Sequence, residues 1–284
     1  MLVLNCLKTK RRGVLAAALM AAHWTMGGAA WAQGVWPNKP VRIVVPFAPG
    51  GTTDLLARAV APELSRALGQ QFVVDNRAGA GGNVGADIVA KAPNDGYTIL
   101  IGTNSTNAAL KFLMKQLPYD QDKAFAPVAY LGSVPLIIAV HPDVPAKNLK
   151  DLVDLAKAKP RSINFASAST SQLVSTEMLA GMAGIELTNV PYKSGPAAMT
   201  DLIGGQVNMF TADFAVTLPQ VRGGKIRGLA VTSTKRAAAV PELPTVNESS
   251  SVKGVHIEIW AAIAGPSKLP PAVVDKLNTE VLQV

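Results

Sequence analysis

An apolar run, a glycine turn and a helical pattern follow one another near the start of the chain. Residues 41–45 are β-branched apart from one arginine, as in a buried strand, and the prolines that follow cannot continue a strand ladder. After Gly50-Gly51, apolar side chains recur at helical spacing: Leu55, Leu56, Ala59, Val60, Leu64 and Leu68. The pattern predicts a strand, a tight turn and a helix that begins near Thr53 and is capped by Thr52 or Thr53.

The alternation of strand and helix patterns continues after this helix. Apolar runs at 71–74 and 97–103 predict strands, with a glycine loop at 77–83 and a short helix between them. The order β-α-β-α-β predicts a parallel sheet covered by helices, with ligands bound at the carboxyl ends of the strands. The glycine turn and the segment Thr103-Asn104-Ser105 would both lie at that edge.

A long apolar segment at 125–141 contains Gly132 and Pro135, and it predicts a crossover in which one strand leaves the first half and another enters the second. The alternation then resumes. Predicted helices cover 149–158, 176–182 and 197–203, and another ends at 223–224; predicted strands cover 162–166, 187–192, 206–211 and 228–232. A strand at 257–264 is expected to return to the first half, and a helix begins near Pro271.

We therefore expect an α/β protein of two lobes, each a mostly parallel sheet flanked by helices, with a ligand cleft between them. Lobe 1 covers 33–132, lobe 2 covers 133–256, and 257–284 return to lobe 1. The last helical pattern shows no stop signal before Val284, so we expect a C-terminally truncated chain.

The first 32 residues differ from the rest in composition. A basic opening precedes an apolar stretch at 14–22, and Ala30-Trp31-Ala32 places small residues where signal peptidase cleaves. This pattern predicts a secretory signal peptide that ends at Ala32 and a periplasmic mature protein. Arg11-Arg12 leaves open whether export follows the general or the twin-arginine route.

The charge and cysteine content exclude several kinds of partner. The leader holds four of the 27 basic residues and none of the 19 acidic ones, so 23 basic residues remain and the mature net charge is +4. This modest excess without a basic stripe argues against nucleic acid as a partner and suits anionic ligands. The single cysteine, Cys6, lies in the leader, so the mature chain has no disulfide and no cysteine metal site. We expect neither a metal nor another cofactor.

The glycine turn at 50–51 is the first candidate ligand site. Unpaired N–H groups and the dipole at the start of the following helix favour an anion. The turn lacks the lysine of a phosphate-binding loop and the spacing of a dinucleotide-binding loop, so a small carboxylate is favoured. An ordinary strand-to-helix turn, with Asp54 stabilising the first helical turn, fits this segment equally well.

Short motifs along the chain stand in the order and approximate spacing of a known family. They are PFAPGGTTD at 46–54, DNRAGAGGN at 75–83, NDGYT at 94–98, LPYD at 117–120, VPYK at 190–193 and LAVTS at 229–233. Together they resemble the Bug (Bordetella uptake gene) family, the periplasmic solute receptors of tripartite tricarboxylate transporters. The likeness runs from about Trp36 to the end of the chain.

The resemblance implies a two-lobed, type II-like periplasmic-binding-protein fold that closes on a small organic acid. Family ligands include dicarboxylates, tricarboxylates, amino acids and aromatic acids, held largely by backbone groups and ordered waters. The candidate binding residues are Phe47, Ala48, Gly50, Gly51, Thr52, Thr53 and Asp54 in the first loop, Thr103 and Asn104 at the rim, Ser167, Ala168, Ser169, Thr170 and Ser171 in the facing loop, and Asp213. The implied partners are the ligand and membrane permease subunits, and we expect a monomer.

The facing loop departs from the family pattern. Where the family has a glycine-rich loop and a histidine, this chain has serine and threonine at 167–171, whose hydroxyls could donate to a carboxylate or cap the following helix. Asp213 could favour an ammonium or hydroxyl of the ligand, although a helix cap is an equally simple role. Lys193 could serve as a cation of the cleft or be solvated.

Other functional classes have weaker support. A receptor that signals to a membrane kinase would have the same sequence features as a transport receptor. A secreted hydrolase lacks support, because no G-x-S-x-G motif occurs and only His141 and His256 follow the leader, neither beside a glycine loop. We therefore expect a binding protein without catalytic residues, and a phosphate binder is the remaining alternative.

Overall fold

A computed structural model describes residues 36–249 and 252–283, so the predicted leader and its cleavage site lie outside the described residues. Residues 39–249 and 252–283 belong to one compact unit. The first half contains β1 (Val41–Val45), α1 (Thr52–Leu68), β2 (Phe72–Asn76), α2 (Asn83–Ala90), β3 (Thr98–Thr103), α3 (Leu110–Leu113) and β4 (Phe125–Val140). A turn of 3-10 helix at Ala80–Gly82 precedes α2, and a turn of π-helix at Ser105–Ala109 precedes α3.

The second half continues the alternation. Its elements are α4 (Leu149–Ala158), β5 (Asn164–Ser167), α5 (Thr170–Ala183), β6 (Thr188–Pro191), α6 (Gly195–Ile203), β7 (Met209–Asp213), α7 (Phe214–Arg222) and β8 (Arg227–Val231). The chain then forms α8 (Val246–Ser249), β9 (Glu258–Pro266) and α9 (Pro271–Val281). Within the described ranges, no helix is both long and apolar enough to cross a membrane.

The strands belong to sheets A and B, which share β4. Sheet A has the order β2-β1-β3-β9-β4, with β1 parallel to β2 and β3, and β9 antiparallel to β3 and β4. Sheet B has the order β8-β4-β7-β5-β6, with β5 parallel to β6 and β7, and β4 antiparallel to β7 and β8. The predicted α/β class is confirmed, and β9 returns to sheet A as expected.

Strand β4 passes from one sheet to the other without a break. Pro135 pairs with Glu258 in sheet A, and the next residue, Leu136, pairs with Asp213 in sheet B. The register shifts on either side of Ala129 and Tyr130, where the strand bends along β9. The prediction of separate strands at this crossover was therefore wrong, because Gly132 and Pro135 are accommodated inside a single strand of 16 residues.

Within sheet B, strand β4 is buried on both faces. Ile138 and Val140 of β4 pack in one apolar cluster with residues of α4 and α5, whereas Ile137 and Ala139 pack in another with residues of α6 and α7. Side chains alternate across a strand, so helices on both sides explain why this segment is continuously apolar. Burial of each such aliphatic side chain contributes roughly 1.5–3 kcal/mol. The sheet is thus a rigid support for the loops at its carboxyl edge.

The bounds of most predicted elements agree with the structure to within a few residues, and α5 is the main exception. It begins at Thr170, six residues before the predicted start near Thr176. Its first turns are polar and gave no apolar signal, yet Thr170, Ser171, Gln172 and Ser175 are buried. Their partners come from distant parts of the chain, which a local pattern does not reveal.

Candidate functional site

A cavity of about 710 Å³ lies where loops from both sheets meet. On the side of sheet A its wall comes from the loops after β1, β2 and β3, and Ile259 of β9 adds to it. On the side of sheet B its wall comes from the loops after β5, β6 and β7. These are the carboxyl ends of the parallel strands, the edge at which the sequence predicted a ligand site.

The β1–α1 loop is built by Gly50 and Asp54. Gly50 has φ +83°, a conformation that favours glycine. Gly51, with φ −83°, occupies the N-cap position of α1, and no side chain makes a capping hydrogen bond there. The Gly50 N–H donates to Asp54 Oδ2 at 2.9 Å, and Asn76 Nδ2 donates both to Asp54 Oδ1 at 2.9 Å and to the Phe47 carbonyl at 3.1 Å. Neither Thr52 nor Thr53 caps this helix, contrary to prediction, because both lie inside its first turn.

Asp54 is a buried structural anion. Burial alone would raise the pKa of Asp54, but hydrogen bonds from Arg58, Gly50 and Asn76 outweigh it and hold the pKa below its ordinary value. The carboxylate is therefore ionised at neutral pH. It shapes the turn that presents Gly51, Thr52 and Thr53 to the cavity.

The start of α1 leaves polar groups available to a ligand. Within the described ranges, the Thr53 and Asp54 backbone N–H groups and the Thr52 hydroxyl have no hydrogen-bond partner. Thr52 is 7% exposed and lines the cavity. A buried hydroxyl without a partner is costly unless a ligand or water supplies one.

The loop after β2 brings a left-handed backbone run to the cavity. Gly79, Ala80, Gly81 and Gly82 all have positive φ, and the Gly82 N–H donates to the Gly79 carbonyl at 3.0 Å. A Cβ on Gly82 would lie 2.7 Å from Thr106 Cγ2 and 3.2 Å from the Phe47 ring. Only glycine allows this packing, and these residues were not among the predicted site residues.

The hydroxyls of the loop after β5 are used within the protein. Ser169 Oγ caps α5 by accepting from the Gln172 N–H at 3.4 Å, and Ser167 Oγ donates to Asn189 Oδ1 at 2.7 Å. Ser171 Oγ lies 2.9 Å from Ser105 Oγ, which also accepts from the Ser171 N–H at 3.3 Å. The Ser105–Ser171 pair joins the loop after β3 directly to α5, and both residues line the cavity.

Helix α6 begins at the cavity as well. Ser194 caps it by accepting from the Ala197 N–H at 3.3 Å, and the lining includes Lys193, Gly195 and Pro196. Tyr192 donates to Asp201 Oδ2 at 2.7 Å, and burial together with this bond raises the pKa of the phenol to about 12. Tyr192 therefore remains a neutral part of the wall.

Asp213 ends β7 and lines the cavity. It holds the cap position of α7 but makes no side-chain cap bond; Oδ1 instead accepts from Gln172 Nε2 at 3.0 Å. Burial raises the pKa of Asp213, partly opposed by the bond from Gln172 and the interaction with the Thr52 N–H. The alternative role as a helix cap is thus not the one this side chain takes.

The combined arrangement favours a small anion. Helices α1, α5 and α6 all start at the cavity, so the positive ends of their dipoles converge there. Among the lining residues in the described parts of the chain, only Lys193 and Asp213 are charged. No group of three potential metal ligands occurs in the searched ranges.

The predicted site residues fall into two groups. Those that line the cavity are Phe47, Ala48, Gly51, Thr52, Thr53, Thr103, Ala168, Ser169, Ser171 and Asp213. Those that the described structure places outside the lining are Gly50, Asp54, Asn104, Ser167 and Thr170. The list of candidate binding residues left out Gln172, Ser105 and the segments 78–82 and 192–196. The sequence had nevertheless placed Ser105 at the edge of the sheet and had offered Lys193 as a cation of the cleft, and the motifs at 75–83 and 190–193 contained a signal for both segments; Gln172 gave none.

The chain matches a known family model and is similar to several known proteins. Residues 56–283 match the family model of the tripartite tricarboxylate transporter family receptor, TctC. A protein from the tcbD-tcbE intergenic region of Pseudomonas sp. strain P51 is 37% identical over 274 residues, 95% of this chain and 81% of that protein. Protein BugT of Bordetella pertussis is 36% identical over 249 residues, 87% of this chain and 76% of BugT.

Solved structures show the same fold. Rpa4515 of R. palustris with adipate matches with a TM-score of 0.84 at 38% identity, over 87% of this chain and 83% of that chain. MatC (Rpa3494) from Rhodopseudomonas palustris with bound malate matches with a TM-score of 0.83 at 31% identity, over 87% of this chain and 85% of that chain. These matches confirm the predicted periplasmic-binding-protein fold.

Proposed function

Because the chain belongs to the Bug family of tripartite tricarboxylate transporter receptors, we propose that it binds a small organic acid in the periplasm and delivers it to membrane permease subunits. The observation that carries this proposal is the convergence of helices α1, α5 and α6 on one cavity. It acts as a monomeric receptor, and binding rather than catalysis is its function.

A carboxylate suits the free groups of the site. Its oxygens would accept from the Thr53 N–H group and from the Thr52 hydroxyl, which both line the cavity at the start of α1. Lys193 adds a positive charge at the rim, where a second carboxylate could lie. The cavity volume is in the range of small-ligand sites.

The relatives support the same ligand class. The R. palustris structures that share this fold contain adipate and malate, acids of different length. A site that holds carboxylates mostly through backbone groups accepts such variety, because helix termini recognise the charge rather than the rest of the molecule. For this chain we propose the same class of ligand, a small organic acid, and we do not propose adipate or malate in particular.

The proposal also includes a role for the N-terminal leader. We propose that residues 1–32 direct export and are removed after Ala32, so that the mature receptor begins at Gln33. Mass spectrometry of periplasmic protein tests this step. Recovery of the intact 29.6 kDa chain in the membrane fraction would contradict it.

The exchange Thr52→Val tests the binding site. Valine has nearly the same shape and removes a hydroxyl that lacks a partner, so stability is expected to be unchanged or higher. Affinity for the best acid from a thermal-shift screen is expected to fall about tenfold in calorimetric titration, the effect of one hydrogen bond to a charged group.

Thr232→Val is the matched control. Thr232 is also buried, but its hydroxyl accepts from the Leu136 N–H at 2.9 Å and donates to the Ile257 carbonyl at 2.5 Å. This variant is expected to lose stability and keep its affinity. If Thr52→Val binds as tightly as the wild type, the start of α1 is not the carboxylate site.

A further inference from the structure

Asp213 is an acidic side chain in a cavity whose other features favour anions. It follows β7, lines the cavity and is partly exposed there. Within residues 36–249 and 252–283 it forms no ion pair. The carboxylate therefore lacks a compensating cation of its own.

Gln172 fixes the direction of this carboxylate. Its Oε1 accepts from the Ala168 N–H at 2.8 Å, and its Nε2 consequently points to Asp213 Oδ1 at 3.0 Å. Gln172 is 2% exposed, so this orientation is held by packing as well as by hydrogen bonds. Oδ1 is thus engaged with the protein, and the Thr52 N–H at the start of α1 interacts with the same carboxylate.

The groups around Asp213 determine which parts of a ligand can bind favourably beside it. Gln172 and the Thr52 N–H are neutral donors and do not cancel a negative charge. A ligand carboxylate placed there would add a second negative charge beside one that no cation balances, which is unfavourable. An ammonium or hydroxyl group would instead donate to the carboxylate, whose two oxygens can accept further hydrogen bonds, and the ammonium would also supply the missing positive charge.

We propose that Asp213 makes the cavity select organic acids that carry an ammonium or hydroxyl group beside a carboxylate over acids of equal length without that donor. The inference rests on the proposed function, because the carboxylate itself is held at the start of α1. Asp213 is then the specificity-determining residue, and Gln172 is the residue that positions it.

Matched acids test the selection in the full chain as purified. One set is succinate, malate and aspartate, and a longer set is adipate, 2-hydroxyadipate and 2-aminoadipate. Calorimetric titration at pH 7.5 is expected to show aspartate or 2-aminoadipate binding about tenfold or more tightly than the acid without a donor. The hydroxy acid is expected to fall between them, since its donor is uncharged.

The exchange Asp213→Asn is expected to invert the order. The amide oxygen would accept from Gln172 Nε2, which turns the amide N–H groups toward the cavity, where they donate to a carboxylate. The variant is expected to fold with equal or higher stability, because burial disfavours the ionised acid that it removes. Asp143→Asn, at a side chain 92% exposed, makes the same change in net charge and is expected to alter nothing.

The outcomes separate this inference from the proposed function. If the wild type binds all members of a set with affinities within threefold of one another, or prefers succinate or adipate, the proposed role of Asp213 is refuted. The proposed function as a receptor for organic acids would still stand. If no acid of either set binds, both proposals fail. The ranking in the wild type is decisive even if Asp213→Asn does not fold.

Discussion

The closest backbone approach beside the cavity is at Gly85 in α2. A Cβ there would lie 2.7 Å from Pro46 Cα, 2.9 Å from Pro46 Cβ and 3.0 Å from the Arg77 carbonyl oxygen. The obstacles include backbone atoms, which cannot rotate away. Gly85→Ala therefore has to shift α2 away from the end of β1.

The size of the effect follows from opposing contributions. Overpacking of a tight site costs roughly 1–3 kcal/mol, whereas alanine in place of a helical glycine gains about 1 kcal/mol. We expect Gly85→Ala to lower the free energy of unfolding by up to about 2 kcal/mol. Because Pro46 lines the cavity, the shift is also expected to weaken ligand binding.

Gly181→Ala provides the control within the same protein. Gly181 lies in α5, and a Cβ there would meet nothing within 4 Å. This variant is expected to be stabilised by about 0.5–1 kcal/mol with unchanged affinity. Urea denaturation followed by circular dichroism measures both variants, and equal stabilisation of the two would refute the close approach of α2 to Pro46.

Further predictions concern the loops of the site. Gly51→Ala is expected to fold normally, because φ is −83°, but to weaken ligand binding by occupying space at the start of α1; unchanged affinity would place the ligand elsewhere. Hydrogen bonds hold the pKa of Asp54 below its ordinary value, so its ionised form stabilises the fold at neutral pH and this stabilisation is lost in acid, as the pH falls through the lowered pKa. Asp54→Asn should therefore melt lower than the wild type at pH 7 and approach it in acid. Ser169→Ala is expected to cost about 1 kcal/mol of stability through its lost cap. Together with Ser171→Ala it is expected to weaken binding, and equal calorimetric affinities of double variant and wild type would make both hydroxyls purely structural.

The sequence predicted the elements whose signals are local. The β-branched run at 41–45 became β1, and the helix at 149–158 has the predicted bounds because its apolar spacing is regular. The glycine turn was correctly placed at the edge of the sheet. These features depend on backbone propensity and on one buried face, which a short window of sequence contains.

The missed features depend on contacts between distant residues. The polar first turn of α5 is buried because Ser171 meets Ser105 and Thr176 Oγ1 donates to Thr211 Oγ1 at 2.7 Å. The direction of Asp213 depends on Gln172, which is 41 residues away. No local pattern carries such pairings, and β4 likewise continues through its glycine because β9 supports it from the far end of the chain.

The position of β9 between β3 and β4 determines the order in which the halves can fold. Sheet B draws all its strands from residues 136–231, so it can be completed as soon as that stretch of chain is available. Sheet A, although its first strands are synthesised earliest, leaves the edge of β3 unpaired until Glu258–Pro266 arrive. Pairing over so long a separation is slow, and an open edge is prone to aggregation. We expect the half that is made first to be completed last.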